Sequence, residues 1–182
     1  ANVLAGGPGN DIYHLGVGDR AVENADQGHD SVYGYGNEHT LAANVANLYL
    51  AVTGAATLTG NELANSLRGN AGDDLLSGQA GNDTLNGGLG ADTLVGGPGD
   101  DHYTVDQTGD RVVEAADEGN DIVHSPISWV LGDHLERLDL TGSDPVDATG
   151  NDLANLLYGQ ANSAANVLAG GPGNDIYHLG VG

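Results

Sequence analysis

Asp74, Asp83, Asp92 and Asp101 stand nine residues apart, and each follows a glycine by two places. They sit in four contiguous blocks, GNAGDDLLS, GQAGNDTLN, GGLGADTLV and GGPGDDHYT, which fill residues 69–104. Every block opens on Gly and carries Gly fourth, Asp sixth and a large apolar residue eighth. Phased carboxylates beside glycine-rich backbone supply hard oxygen donors. Such donors suit calcium, which takes six to eight oxygens from carboxylates and carbonyls at about 2.3–2.6 Å. The glycines Gly72, Gly81, Gly90 and Gly99 permit positive φ, so the backbone can aim carbonyls at the same point. A single block of this kind would be a solvated acidic turn. Repetition in phase argues for a cation, and Asp110 continues the phase nine residues after Asp101.

Two blocks make a coil of 18 residues, so acids at i and i+18 are expected to stack on one side. The pairs are Asn65/Asp83, Asp74/Asp92 and Asp83/Asp101. Each pair is expected to hold one calcium between neighbouring coils, completed by carbonyls of Gly72, Gly81, Gly90, Gly99 and their neighbours. The block recurs at 6–14 with Asp11 and at 170–178 with Asp175. Asn155 and Asp175 lie twenty apart, and two extra residues in GQANSAANVLAGG restore the phase. Asn65, Asn155, Asn2 and Asn166 fill the Asp slot without its charge. For them calcium ligation and metal-free amide ladders both remain open. A further set, Asp110, Glu114 and Asp121, is mirrored by Asp19, Glu23 and Asp30. It is compatible with another cation site, and slightly more with solvated acids at strand edges.

The elements that must position these groups follow from the repeats. Residues 1–18 recur letter for letter at 165–182, a period of 164 residues, as if Ala1 and Gly182 fell inside a longer periodic chain. Within that period, residues 1–90 are loosely repeated by 91–164, the second copy lacking about two of the nine-residue blocks. Repetition at fixed period points to a solenoid. Glycine and β-branched residues are common and no helical stripe persists. Short β-prone runs at 111–114, 122–125, 135–140 and 153–158 are bounded by Gly, Asn and Asp turns. The expected fold is all-β: one continuous right-handed parallel β-roll or β-solenoid over residues 1–182, with small aliphatics stacked in a narrow core and calcium bound in the turns between coils.

The totals agree. The chain of 182 residues carries 26 Asp and Glu against 4 Lys and Arg, a formal net charge of −22. It would repel nucleic acid and anionic membranes and attract cations. Thirty-one glycines and 4% aromatics leave little for a thick core. The absence of cysteine excludes disulfides and thiolate metal sites. No apolar run approaches a membrane span. No nucleophile elbow, zinc-protease helix, phosphate loop or full EF-hand loop occurs, which speaks against catalysis. His14, His102, His124 and His178 lack metal-ligand spacing and read as rung side chains. Trp129 and Tyr13, Tyr103 and Tyr177 read as plugs of the core or the coil ends.

The nine-residue pattern resembles the RTX, or haemolysin-type, calcium-binding repeat, G-G-x-G-x-D-x-U-x. Blocks 78–86, 87–95 and 96–104 carry the likeness best, with Gln79 replacing a glycine in the first; Asn70 does the same in block 69–77. The intervening segments GDRVVEAADEGNDIVHS and LGDHLERLDLTG resemble linkers between repeat clusters of long secreted RTX proteins. The resemblance implies a chain that is unfolded in low cytosolic calcium, exported by a type I system, and folded outside at millimolar calcium. Two roles fit it. One is an extracellular structural repeat building a stalk, fibre or matrix filament by end-to-end continuation. The alternative is an accessory module of a secreted protease, lipase or epimerase, or an adhesin segment. The exact 164-residue recurrence favours the first.

Overall fold

In the computed structural model, which describes residues 1–180, the chain winds as a parallel β-solenoid and contains no helix among those residues. One long sheet runs its whole length. Its ten parallel strands are Ile12–Leu15, Ser31–Gly34, Asn47–Leu50, Ser66–Arg68, Thr84–Asn86, His102–Thr104, Ile122–Ser125, Arg137–Leu140, Leu156–Tyr158 and Ile176–His178, each paired with its neighbours in that order. The opposite face is divided. Five strands, from Glu38–Thr40 to Arg111–Val113, form its central sheet. Val3–Leu4 pairs with Arg20–Ala21 at one end, and Trp129–Val130, Ala148–Thr149 and Leu168–Ala169 pair at the other.

The sequence pattern sets these elements directly. In each block the three residues after the Asp form the strand, and only the middle one points inward: Leu75–Ser77 and Thr84–Asn86 both read exposed, buried, intermediate. Leu67 pairs with Leu85, and Leu85 with Tyr103, so the inward residues stack directly. Their column runs from Tyr13 through Val32, Leu48, Leu67, Leu85, Tyr103, Val123 and Leu138 to Leu157, and every member is at most 3% exposed. Leu58, Leu76 and Leu94 form the facing column and are fully buried. Two columns of single side chains fill the interior, which is why a chain without Phe or Met can close a core.

Tyr13 and Tyr103 are core residues as the sequence suggests, whereas Tyr177 is 47% exposed. Strand bounds are tighter than the apolar runs. The expected strands at 135–140 and 153–158 begin at Arg137 and Leu156, because the residues before them stay in the turn. There Asn155 bonds its own turn, its Oδ1 accepting from Asn151 N at 2.7 Å. The restart of the sequence pairs in register, Ile176 with Leu156 and Tyr177 with Leu157. The last two residues of that restart, Val181 and Gly182, lie outside the described residues.

Gly99 shows why the turns need glycine. Its φ is 145°, and a Cβ there would collide with the carbonyl oxygen of Gly81 in the coil before. Gln79 takes φ 84° where neighbouring blocks carry Gly88 at 90° and Gly97 at 94°. A side chain held in that region costs roughly 1 kcal/mol. Two stability changes follow. Leu85→Ala is expected to lose about 2–5 kcal/mol, as buried leucines do. Gln79→Gly is expected to gain about 1 kcal/mol by releasing the left-handed strain. Denaturant unfolding in saturating calcium checks both, and a destabilised Gln79→Gly would refute the strain argument.

Candidate metal sites

The phased acids line the two edges of the solenoid, alternate blocks serving opposite edges. Within each edge the acids are bonded coil to coil. Asp83 N donates to Asp101 Oδ1 at 2.7 Å, Asn65 N to Asp83 Oδ1 at 2.7 Å and Asp101 N to Asp121 Oδ1 at 2.8 Å. On the other edge Asp74 N donates to Asp92 Oδ1 at 2.8 Å and Asp92 N to Asp110 Oδ1 at 3.0 Å. The three expected pairs therefore meet at a separation of 18 residues, and Asp110 joins its column. Asp175 receives Asn155 N at 2.9 Å across 20 residues, and Asp30 receives Asp11 N at 2.8 Å across 19.

Each ladder bond occupies one carboxylate oxygen. The other turns into the coil beneath the first glycine of its own block. Oδ2 of Asp83, Asp92 and Asp101 lies where a Cβ on Gly78, Gly87 and Gly96 would sit. Those three oxygens are buried and accept no hydrogen bond. Asp74, Asp83, Asp92 and Asp101 are all at most 2% exposed. The carbonyl of Gly72 faces the Cα of Gly90 one coil on, and that of Gly81 faces Gly99. Buried carboxylate oxygens without a donor fit a hard cation of calcium's class. Carboxylates of this kind carry the charge that calcium needs, and bound calcium would convert their repulsion into folding energy.

Asn65 and Asn155 stand in the same columns with a different chemistry. Asn65 Nδ2 donates to the carbonyls of Ala46 at 3.2 Å and Val45 at 3.3 Å, and Asn155 Nδ2 donates to Leu135 O at 3.1 Å. Their amide hydrogens reach the backbone oxygens directly. Asn2 stacks on Asp19, donating to its Oδ1 at 2.6 Å, and Asn166 accepts from Val146 N at 3.3 Å.

Burial controls the electrostatics. It pushes Asp83 and Asp92 up to about 6 and Asp101 up to about 7, and backbone N–H donors offset only part of that. The carboxyl of Asp74 is raised for the same first reason. Among the described residues no cation pairs with these acids: Arg137 pairs with Asp139, and the N-terminus with Asp19.

The second acidic set departs from expectation. Three of the six are not solvated strand-edge acids: Glu23 is 7% exposed, and Asp30 and Asp121 are each 1% exposed, whereas Asp19, Asp110 and Glu114 are half-buried. Nor do they gather as the spacing grouped them. Glu114 and Asp121 meet Asp101 rather than Asp110, and Glu23 and Asp30 meet Asp11 rather than Asp19. The reason is that the linker coils carry 19 or 20 residues between stacked acids instead of 18, which shifts the phase. The signal was present in the sequence, as both long repeats hold Glu and Asp at matching places, but their partners depend on coil length.

The sequence pattern of the RTX calcium-binding nonapeptide repeat, in runs of 4 copies, matches residues 1–20, 59–94, 68–103, 78–110 and 149–182. The chain belongs to this RTX family. No curated protein matches the chain significantly. The RTX match covers every block that holds a phased Asp, and it leaves out residues 21–58 and 111–148, the two linker regions. Histidines lie on the outer face of the long sheet, where His102 of the RTX match and His124 of the linker pack with ring centroids 5.6 Å apart and His178 stacks on Tyr158 at 4.3 Å.

The raised carboxyls give a pH signature with opposite signs in the two states. A carboxyl raised on folding favours the fold below its unfolded value of 3.8, and that contribution is lost as pH rises through about 6 to 7. Without calcium, β-structure is therefore expected to increase on acidification from about pH 8 to about pH 5. With calcium, the same acidification is expected to weaken binding, since protons compete for the ligand oxygens. Circular dichroism across that range, with and without chelator, reads both trends, and parallel curves would contradict the assignment.

Proposed function

We propose that this RTX solenoid is an extracellular structural repeat that folds on calcium and forms a stalk, fibre or matrix filament by continuing end to end. Its calcium is held between coils by Asp11, Asp74, Asp83, Asp92, Asp101, Asp110 and Asp175, with carbonyls of Gly72, Gly81, Gly90 and Gly99 completing the shells. The Asn65 and Asn155 rungs close through their amides and need no ion. The observation that carries the filament reading is the restart of the sequence within the ladder: Ile176–His178 copies Ile12–His14 and pairs in the register of the coil before it. A sequence that re-enters its own ladder in phase can extend along the axis without a new interface. Strands in a sheet lie about 4.8 Å apart, so nine steps put the restart roughly 43 Å along.

The charge supports secretion into calcium-rich surroundings. Stacked acids repel when no cation is present, and the narrow core offers little to compensate. In low calcium the chain would remain extended and exportable.

A calcium titration followed by circular dichroism and negative-stain microscopy on one sample tests this reading. The expected result is a coil-to-β transition, reversed by chelator and accompanied by fibres with an axial period of roughly 43 Å. The transition without fibres would favour an accessory module of a secreted enzyme or an adhesin segment. No transition would remove the calcium reading altogether.

A further inference from the structure

Two clusters of three acids lie where the nonapeptide runs meet the linkers: Asp11, Glu23 and Asp30, and Asp101, Glu114 and Asp121. In each, one ligand oxygen from every residue lies within 4.8 Å of the others. The clusters are built alike from sequence 90 or 91 residues apart. The strand Arg111–Val113 pairs with Thr93–Val95, and the register continued by one residue sets Glu114 beside Gly96, the place where a regular coil presents the first glycine of a block. The register of Arg20–Ala21 continued by two residues sets Glu23 beside Gly6, whose N–H donates to Glu23 Oε1 at 3.3 Å. At both places the core column carries Tyr instead of Leu, and its hydroxyl donates to the glutamate Oε1: Tyr13 to Glu23 and Tyr103 to Glu114. Gly6 N donates to Tyr13 Oη at 2.7 Å. A Cβ on Gly96 would occupy the space taken by Tyr103 Oη and Asp101 Oδ2.

The tyrosines engage one oxygen of each glutamate, and backbone N–H groups engage one oxygen of Asp101, Asp121 and Asp30. Oδ2 of Asp101 and Oε2 of Glu114 are buried without a partner, as are Oδ2 of Asp11, Oε2 of Glu23 and Oδ2 of Asp30. Asp101 is 0% exposed and Asp30 is 1% exposed, so water does not replace the missing donors from outside. Three carboxylates converge and none of them pairs with a cationic side chain, since the side-chain ion pairs among the described residues all involve Asp139. Buried charges in proteins are paired or coordinate a metal. The donor set is all oxygen, which suits a hard divalent ion and not a soft one.

We infer that each cluster is a further calcium site, sharing one Asp with the nonapeptide run but completed by two linker acids, in which a linker glutamate descends from the place of a turn glycine and closes the end of a repeat run. The choice of ion rests on the calcium reading above; the convergence of acids does not. Residues 21–58 and 111–148 lie outside the family match, so the repeat pattern itself assigns no role to Glu23, Asp30, Glu114 or Asp121.

The test is equilibrium dialysis with radioactive calcium on the full chain. Glu114→Gln keeps the shape and the phenol contact but removes the charge, and is expected to bind one calcium fewer per chain. Adding Glu23→Gln is expected to remove a second. Glu118→Gln, in the same linker, is expected to keep the full count. An unchanged count in the double variant, in a chain that still folds on calcium, would overturn the site and leave the solenoid reading intact. Loss of calcium-induced folding in the unsubstituted chain would overturn the solenoid reading instead. Should the Gln variants fail to fold, glutamate-labelled wild-type protein supplies the answer by infrared spectroscopy. Calcium ligation shifts the carboxylate stretch of buried glutamate when calcium is added. A protonated carbonyl band that persists in saturating calcium would show acids neutralised by protons and overturn the proposal.

Discussion

Carboxylates buried in columns, with almost nothing positive in the chain to face them, constrain everything else in this molecule. Four basic residues stand against 26 acids, and among the described residues Arg137, the one that makes a short ion pair, uses it on Asp139 at the outer face. Meanwhile Asp83, Asp92 and Asp101 sit at no more than 1% exposure. Backbone N–H groups of the preceding coil satisfy one oxygen of each. The second has no donor, and a buried ionised group left that way costs several kcal/mol. The glycine turns make sense under this constraint. They let oxygens of two coils approach one another closely, which would be repulsive unless a cation lay between them.

The apolar interior follows the same period. A block of nine gives one inward side chain, and two blocks give the two columns that face each other across the coil. With so thin a core, aromatic bulk has few places to go. Tyrosine enters the main column beside the linker acids, where its hydroxyl finds a glutamate. Core and charge are thus coupled at Tyr13 and Tyr103: the residue that fills the column also holds an acid in position.

Most of this architecture was legible in the letters. The phase of Asp74, Asp83, Asp92 and Asp101 gives the coil length, the stacking partners and the inward Leu, because in a solenoid local period and long-range contact are the same fact. What was not legible depends on coils of irregular length. The count from Asp101 to Asp121 is 20 and from Asp121 to Glu136 is 15, so partners there cannot be read by adding a fixed number. Glu23 and Glu114 therefore looked like surface acids. Asn65 and Asn155 were ambiguous for another reason: an amide and a carboxylate fill the same slot, and only the position of the neighbouring carbonyls shows what the amide hydrogens do. Gln79 shows a further limit, since a residue ill-suited to positive φ is carried there by the coils around it.

The uneven faces have a mechanical meaning. Along the long sheet every coil is stitched to the next, but the opposite face is interrupted between Arg20–Ala21 and Glu38–Thr40 and again between Arg111–Val113 and Trp129–Val130. In a solenoid the interstrand bonds run along the axis, so tension loads the coils in series and the least-bonded joint bears the strain first. The two interruptions are such joints, hinged on the long sheet and open on the other side. The acid clusters draw on these same linkers, so a load on the rod would open it there first, and groups that tie the clusters together would set its stiffness.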